Sequence, residues 1–159
     1  MATDAITGEE LLEASRLSRL LDAYYNTSAW QQVIRELILN NPGFLNHFLC
    51  YLTEHNYIDQ PMSLERRGEL LYIFCLDHYS SYVTAVTMAW IEAGMSLKKR
   101  PAEHVCTGRL SLPAVWEVLY GEYSDTLRLC FLPTDGEHGF LFGYDTTAQH
   151  PAPIFKALI

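Results

Sequence analysis

The stretch ITGEELLEASRLSRLLDAYYNTSAWQQVIRELILN, residues 6–40, reads as two amphipathic helices meeting at Tyr24-Tyr25-Asn26. Thr7-Gly8-Glu9-Glu10 has the spacing of a capping box, in which the Thr7 hydroxyl accepts from the third helical amide and Glu10 reaches back to the cap. Leu17, Leu20, Leu21 and Tyr24 then recur at helical spacing. Ser28 with Gln31 predicts a second capping box ahead of the stripe Trp30, Val33, Ile34, Leu37 and Ile38. Between the two helices, Asn26 is expected to take the left-handed conformation that ends a helix, and the tyrosine rings to fill the junction. Tyr24, Tyr25 and Asn26 therefore form a candidate hinge or domain-interface site, with rings and an amide able to engage a neighbouring segment.

The helical pattern continues outward from this pair. Asn40-Asn41-Pro42 supplies a stop, a cap and a proline pre-set for a first helical position, before Phe44, Leu45, Phe48, Leu49 and Leu52. The turn at Tyr57 to Met62 precedes Ser63, a plausible cap for a fourth helix whose apolar side is Leu71, Phe74, Cys75 and His78. Ser80-Ser81 interrupts, Val83, Val86, Trp90 and Ile91 resume, and Gly94 suits the left-handed closing residue. After Pro101 the character changes. The segment 110–120 is ambiguous, whereas Leu127, Leu129 and Phe131 alternate, as do Phe140, Phe142 and Tyr144. The Asp-Gly signal within residues 133–138 joins these two runs into a β-hairpin. A lone hairpin is marginal in water, so it should lie on the helices or extend a sheet. The expected fold is mainly α (α+β): a single domain, 1–159, with a five-helix antiparallel bundle-like part at 6–100 and a hairpin-containing part at 101–159.

Composition sets limits on function. Hydrophobic residues make up 49% of the 159-residue chain and aromatics 13%, enough for a real core and far from disorder. Eleven Lys and Arg against nineteen Asp and Glu leave a net charge of -8, which argues against broad nucleic-acid binding. The compact basic run Lys98-Lys99-Arg100 fits a solvated turn after a helix. Cys50, Cys75, Cys106 and Cys130 form no CxxC pair, and no secretory leader precedes Ile6, so free thiols in a reducing cytoplasm are expected. The apolar stretch from Tyr82 to Met95 falls short of a bilayer span and reads as a buried helix, so no membrane partner is expected.

The sharpest chemical idea pairs His47-x-x-Cys50 with Cys75-x-x-His78. Each pair shares one helical face, and together they offer four tetrahedral zinc ligands. Against this, Cys75 and His78 continue an apolar stripe, where a small buried Cys and a satisfied His are ordinary core residues. His104-x-Cys106 is a weaker pair. Asp135, Glu137 and His138 crowd the hairpin tip, where turn chemistry alone accounts for them. No Ser or Cys sits beside a base in recognisable context, and GxGxxG, GxxxxGK and HExxH are absent. The chain is expected to carry no catalytic residue and no cofactor-binding residue of its own.

The pattern T-x-E-E-L…R-L-x-R-x-L-D-x-Y-Y-N-T-S-x-W, from Thr7 to Trp30, resembles the segment just after the radical-SAM core in certain cobalamin-binding radical SAM proteins. There it opens a carboxyl-terminal helical domain of unknown function. Phe44-Leu-x-x-Phe-Leu and Leu70-Leu-Tyr-x-Phe-Cys75 look like the same domain, and the likeness covers about residues 6 to 95. The resemblance implies a bacterial parent enzyme, often labelled by analogy with the anaerobic Mg-protoporphyrin IX monomethyl ester oxidative cyclase. Its preceding domains would hold S-adenosylmethionine, a [4Fe–4S] cluster and cobalamin, and would be this chain's partners within the same polypeptide. CxxxCxxC and DxHxxG are absent here, so no catalytic residue of the family carries over. The alternative is a free-standing helical interaction or scaffold module that binds another protein or forms a homodimer through an exposed apolar face.

Overall fold

A computed structural model describes residues 6–103, 105–107, 127–135, 138–145, 147, 153 and 155–158. Five helices are followed by an antiparallel hairpin, so the chain is mainly helical with a small sheet. It divides into two compact units, Met1–Ala89 and Trp90–Ile159.

In the first unit, helix α1 spans Gly8–Leu20 and begins with the expected capping box. Thr7 accepts from the Glu10 amide, and Glu10 accepts from the Thr7 amide at 2.7 Å. The chain then widens into a π-turn over Leu21–Tyr25, where the Asn26 amide donates to the Leu21 carbonyl at 2.8 Å. That wider ring corrects the expectation for Asn26. Its φ of -86° is right-handed, because the helix ends by widening and not by reversing hand. The Asn26 amide side chain instead donates to Asp22 at 2.8 Å.

The second capping box does not form either. Helix α2, Gln31–Asn40, has Trp30 as its cap and no side-chain cap bond. The Thr27 carbonyl accepts from the amides of both Trp30 and Gln31, at 3.0 Å each. Trp30 is fully buried, so the tight entry that seats its ring replaces the Ser28 cap. After a turn at Pro42 and Gly43, α3 spans Phe44–Glu54 and closes on Asn56, a left-handed residue at φ 56°. Ser63 caps α4, Leu64–His78, by accepting from the Arg66 amide at 3.1 Å, as its position suggested. A short 3-10 turn, Ser80–Tyr82, leads into α5, Val83–Glu92.

Ring packing holds this unit together. Phe48 lies 4.8 Å from Phe74 and 5.6 Å from Phe44, while Tyr24 meets Phe48 edge-on at 5.0 Å. The π-turn, α3 and α4 thus share one buried aromatic centre. Such offset and edge-on pairs stabilise beyond the area they bury.

In the second unit, Gly94 is left-handed at φ 72° after α5, as predicted, and the Trp90 indole N–H donates to the Ser96 carbonyl at 3.0 Å. The hairpin is the middle of a four-stranded antiparallel sheet: β1 Cys106–Thr107, β2 Leu127–Asp135, β3 His138–Asp145 and β4 Phe155–Leu158, in that order. Pro133 and Thr134, read from sequence as turn residues, belong to β2, and Asp135 pairs with His138. The carboxyl-terminal tail supplies β4, its Ala157 opposite Leu141 of β3. On β3, Leu141, Phe142 and Tyr144 are all buried, and they take in both faces of the strand. On β2 the buried residues are Cys130 and Leu132, while the alternate set Leu129 and Phe131 is half-buried. The ambiguous segment 110–120 lies outside the described residues.

Candidate functional site

Along α3, His47, Tyr51 and His55 recur every four residues and so share a face. The end of α4 brings Phe74, His78 and Tyr79 against it. The rings form a continuous ladder: His78 to His47 at 4.5 Å, His47 to Phe74 at 4.8 Å, Phe74 to Tyr51 at 5.1 Å and Tyr51 to His55 at 4.6 Å. His55 then stacks on Tyr57 at 5.7 Å, and the Arg66 guanidinium sits 5.3 Å from the Tyr57 ring centre. Phe74 is buried, Tyr51, Tyr57 and Tyr79 are half-buried, and all three histidines are exposed. Buried carbon on one side and wet imidazoles on the other make this the unit's richest chemical surface. Partial burial pushes the Tyr51 and Tyr79 phenols upward, with Tyr57 and Asp77 adding to the effect at Tyr51.

Two of the four zinc candidates meet here, His47 and His78. Nδ1 of His47 lies 3.2 Å from the Tyr79 hydroxyl. The cysteines behave differently. Cys75 is fully buried, and burial pushes its thiol up to about 12, which opposes the thiolate a metal needs. Cys50 is exposed and lines a groove of about 320 Å³ with Glu13, Arg16, Leu49, Thr53 and Glu54. Among the described residues no three His, Cys, Asp or Glu side chains gather as a possible metal-ligand set. His104 and Glu137 lie outside the described residues. His138 is exposed.

The candidate hinge is built inward. Tyr24 is buried, its hydroxyl donates to the Arg67 carbonyl at 3.2 Å, and desolvation pushes its phenol far above the ordinary range. Tyr25 is half-buried and Asn26 exposed. Tyr24 ties the π-turn to α4.

An exposed apolar stretch lies on the amino half of α1, while Leu39, Leu64, Leu76 and Leu158 are exposed singly elsewhere. Every residue from 6 to 15 is exposed, including Ile6 at 67%, Leu11 at 57% and Leu12 at 49%. Only the carboxyl half of α1 is anchored: Leu20 is buried, and Arg16 and Arg19 reach Asp59 at 2.7 and 3.0 Å. The hydrogen bond from Arg16, with the charges of both arginines, holds the Asp59 carboxyl below its ordinary value of 3.8. A carboxylate whose folded pKa is depressed contributes stability that is present above its unfolded pKa and lost as pH falls through the folded one. Asp59→Asn is therefore expected to lower Tm slightly at neutral pH. The gap to the wild type should close on acidification below 3.8, which calorimetry at stepped pH would check.

Sequence reasoning singled out His47 and His78 but paired them with cysteines, and it missed Tyr51, His55 and Tyr57. The signal for two of these was present as the four-residue spacing His47, Tyr51, His55. The meeting of His47 with His78 is non-local and has no such signal.

Among the described residues no helix is long and apolar enough to cross a membrane. Neither a curated protein nor a solved structure matches the chain. Residues 1–93, which take in all five helices, match a family described as a protein of unknown function, DUF4080, and the chain belongs to that family.

Proposed function

We propose that the chain is an accessory domain of a cobalamin-dependent radical SAM enzyme, non-catalytic by itself, which docks on the rest of that enzyme through the amino half of α1. The observation that carries this reading is the uncovered face of α1, with Ile6, Leu11 and Leu12 all exposed. Helices this short depend on tertiary packing for most of their stability. The residues in the first turns of α1 are all exposed. The motif from Thr7 to Trp30 supports the parent, since in the proteins it resembles the same segment directly follows the radical-SAM core. Glu9, Glu10 and Glu13 surround Leu11 and Leu12 in sequence, so the partner face is apolar with a basic rim. S-adenosylmethionine, the iron–sulfur cluster and cobalamin would belong to the preceding domains, and the helical domain would close the barrel or shape substrate access.

Two measurements test this. Reading the coding sequence upstream of residue 1 should show CxxxCxxC within βα repeats, and a stop codon there would overturn the proposal. With the parent's two parts expressed separately, Leu11→Glu with Leu12→Glu should weaken their association at least about tenfold, given the cost of losing two leucine contacts. Unchanged association would remove α1 from the interface. If light scattering instead finds a homodimer broken by the same pair of substitutions, the face serves a free-standing interaction module.

A further inference from the structure

We infer that His47 and His78 form a two-imidazole site for a divalent transition-metal ion of the nickel, copper and zinc class, bridging the start of α3 to the end of α4. The two rings come from different helices, lie 4.5 Å apart between centres at an interplanar angle of 62°, and are both exposed. Imidazole nitrogens bind these ions at about 2.0–2.1 Å, which carries two rings on one ion to a separation of a few ångströms. Imidazole is the preferred ligand for this class of metal, whereas calcium and magnesium seek oxygen.

Four further features favour a cation at this place. The Tyr79 hydroxyl engages Nδ1 of His47 at 3.2 Å, orienting the ring and leaving Nε2 for the metal, the arrangement in which an outer partner fixes a ligating histidine. Among the described residues no hydrogen bond engages the His78 ring, so both its nitrogens are available. His78 closes α4, where the carbonyl end of the helix is negative, beside the exposed carboxylate of Asp77, on a chain of net charge -8. Phe74 packs against both imidazoles, at 4.8 and 4.9 Å, which limits their rotation. Water completes the coordination, so the site is open on its outer side. The buried Cys75, one turn before His78, takes no part. This inference does not depend on the docking reading.

Calorimetric titration of the purified chain with nickel chloride, and separately with zinc chloride, tests it. One saturable equivalent is expected, with a rise in Tm that a chelator reverses, because an ion bound only by the folded state stabilises it. His47→Ala and His78→Ala should each weaken binding by more than about tenfold, and Tyr79→Phe by less, in keeping with the effect of losing an outer partner. His55→Ala, on the same ladder but two helical turns from His47, should leave affinity unchanged. His78→Ala removes an exposed ring without a hydrogen bond, so it keeps the test valid even if His47→Ala impairs folding. Absence of saturable binding overturns the inference. So does affinity insensitive to His78→Ala, or equal loss in His55→Ala.

Discussion

Phe74→Ala is expected to destabilise the helical unit by about 3–5 kcal/mol, the range for deleting a fully buried phenylalanine. Phe74 is wholly buried and touches both halves of the aromatic network. It meets the core rings Phe44 at 6.1 Å and Phe48 at 4.8 Å, and the surface rings His47, Tyr51, His78 and Tyr79. Truncation would open a cavity whose walls come from two helices and cannot collapse from one side alone. Domains of this size stand only about 5–15 kcal/mol above unfolding, so the loss is a large share of the total. Urea denaturation followed by far-ultraviolet circular dichroism should show the midpoint falling sharply. Phe74→Leu, which keeps most of the volume, should fall less. A loss under about 1 kcal/mol for Phe74→Ala, well below the usual range, would mean that the rings of α3 and α4 do not form a close-packed core.

Gly139→Ala should damage the sheet, by about 1–3 kcal/mol or more, as expected for forcing one methyl into filled space. Gly139 opens β3 opposite Pro133, and a Cβ there would collide with the Leu132 carbonyl and the Phe131 ring. The carbonyl is backbone inside a paired strand, so it cannot swing aside as a side-chain tip would. The register of Phe131 with Leu141 and of Leu132 with Phe140 would have to shift. Limited proteolysis should then cut β2 or β3 faster while α1 to α4 keep their helical signal. Gly8→Ala and Gly43→Ala are the matched controls, because a Cβ at either position meets nothing within 4 Å. Equal protease resistance in Gly139→Ala and its controls would contradict the pairing of β2 with β3.

The elements that could be read from the chain are those whose cause is local. Thr7 and Glu10 cap α1, Ser63 caps α4 and Gly94 ends α5 because each needs only three or four neighbours to act. Ser28 and Gln31 have the same local signature, yet burial of Trp30 shifts the helix start and the Thr27 carbonyl takes over the capping. Asn26 was expected to reverse hand because asparagine tolerates it; the π-turn before it removed the need. The hairpin was legible from alternation and an Asp-Gly signal. Strands β1 and β4 were not, since two and four residues carry no periodicity and exist only through pairing with β2 and β3. At the candidate site, the four-residue spacing of His47, Tyr51 and His55 is visible in the sequence. The arrival of His78 and Tyr79 beside them depends on how α4 lies on α3.

Residues 8–15 offer the most direct check on docking, through amide hydrogen exchange of this chain alone and of the full gene product. Backbone bonds in an uncovered helix end open with little free energy, whereas burial under a partner raises that cost toward the global value. Docking through α1 predicts fast exchange in the isolated chain and strong protection of the Leu11 and Leu12 amides in the full protein. Equally fast exchange in both would show that nothing covers this face and would contradict the proposed role.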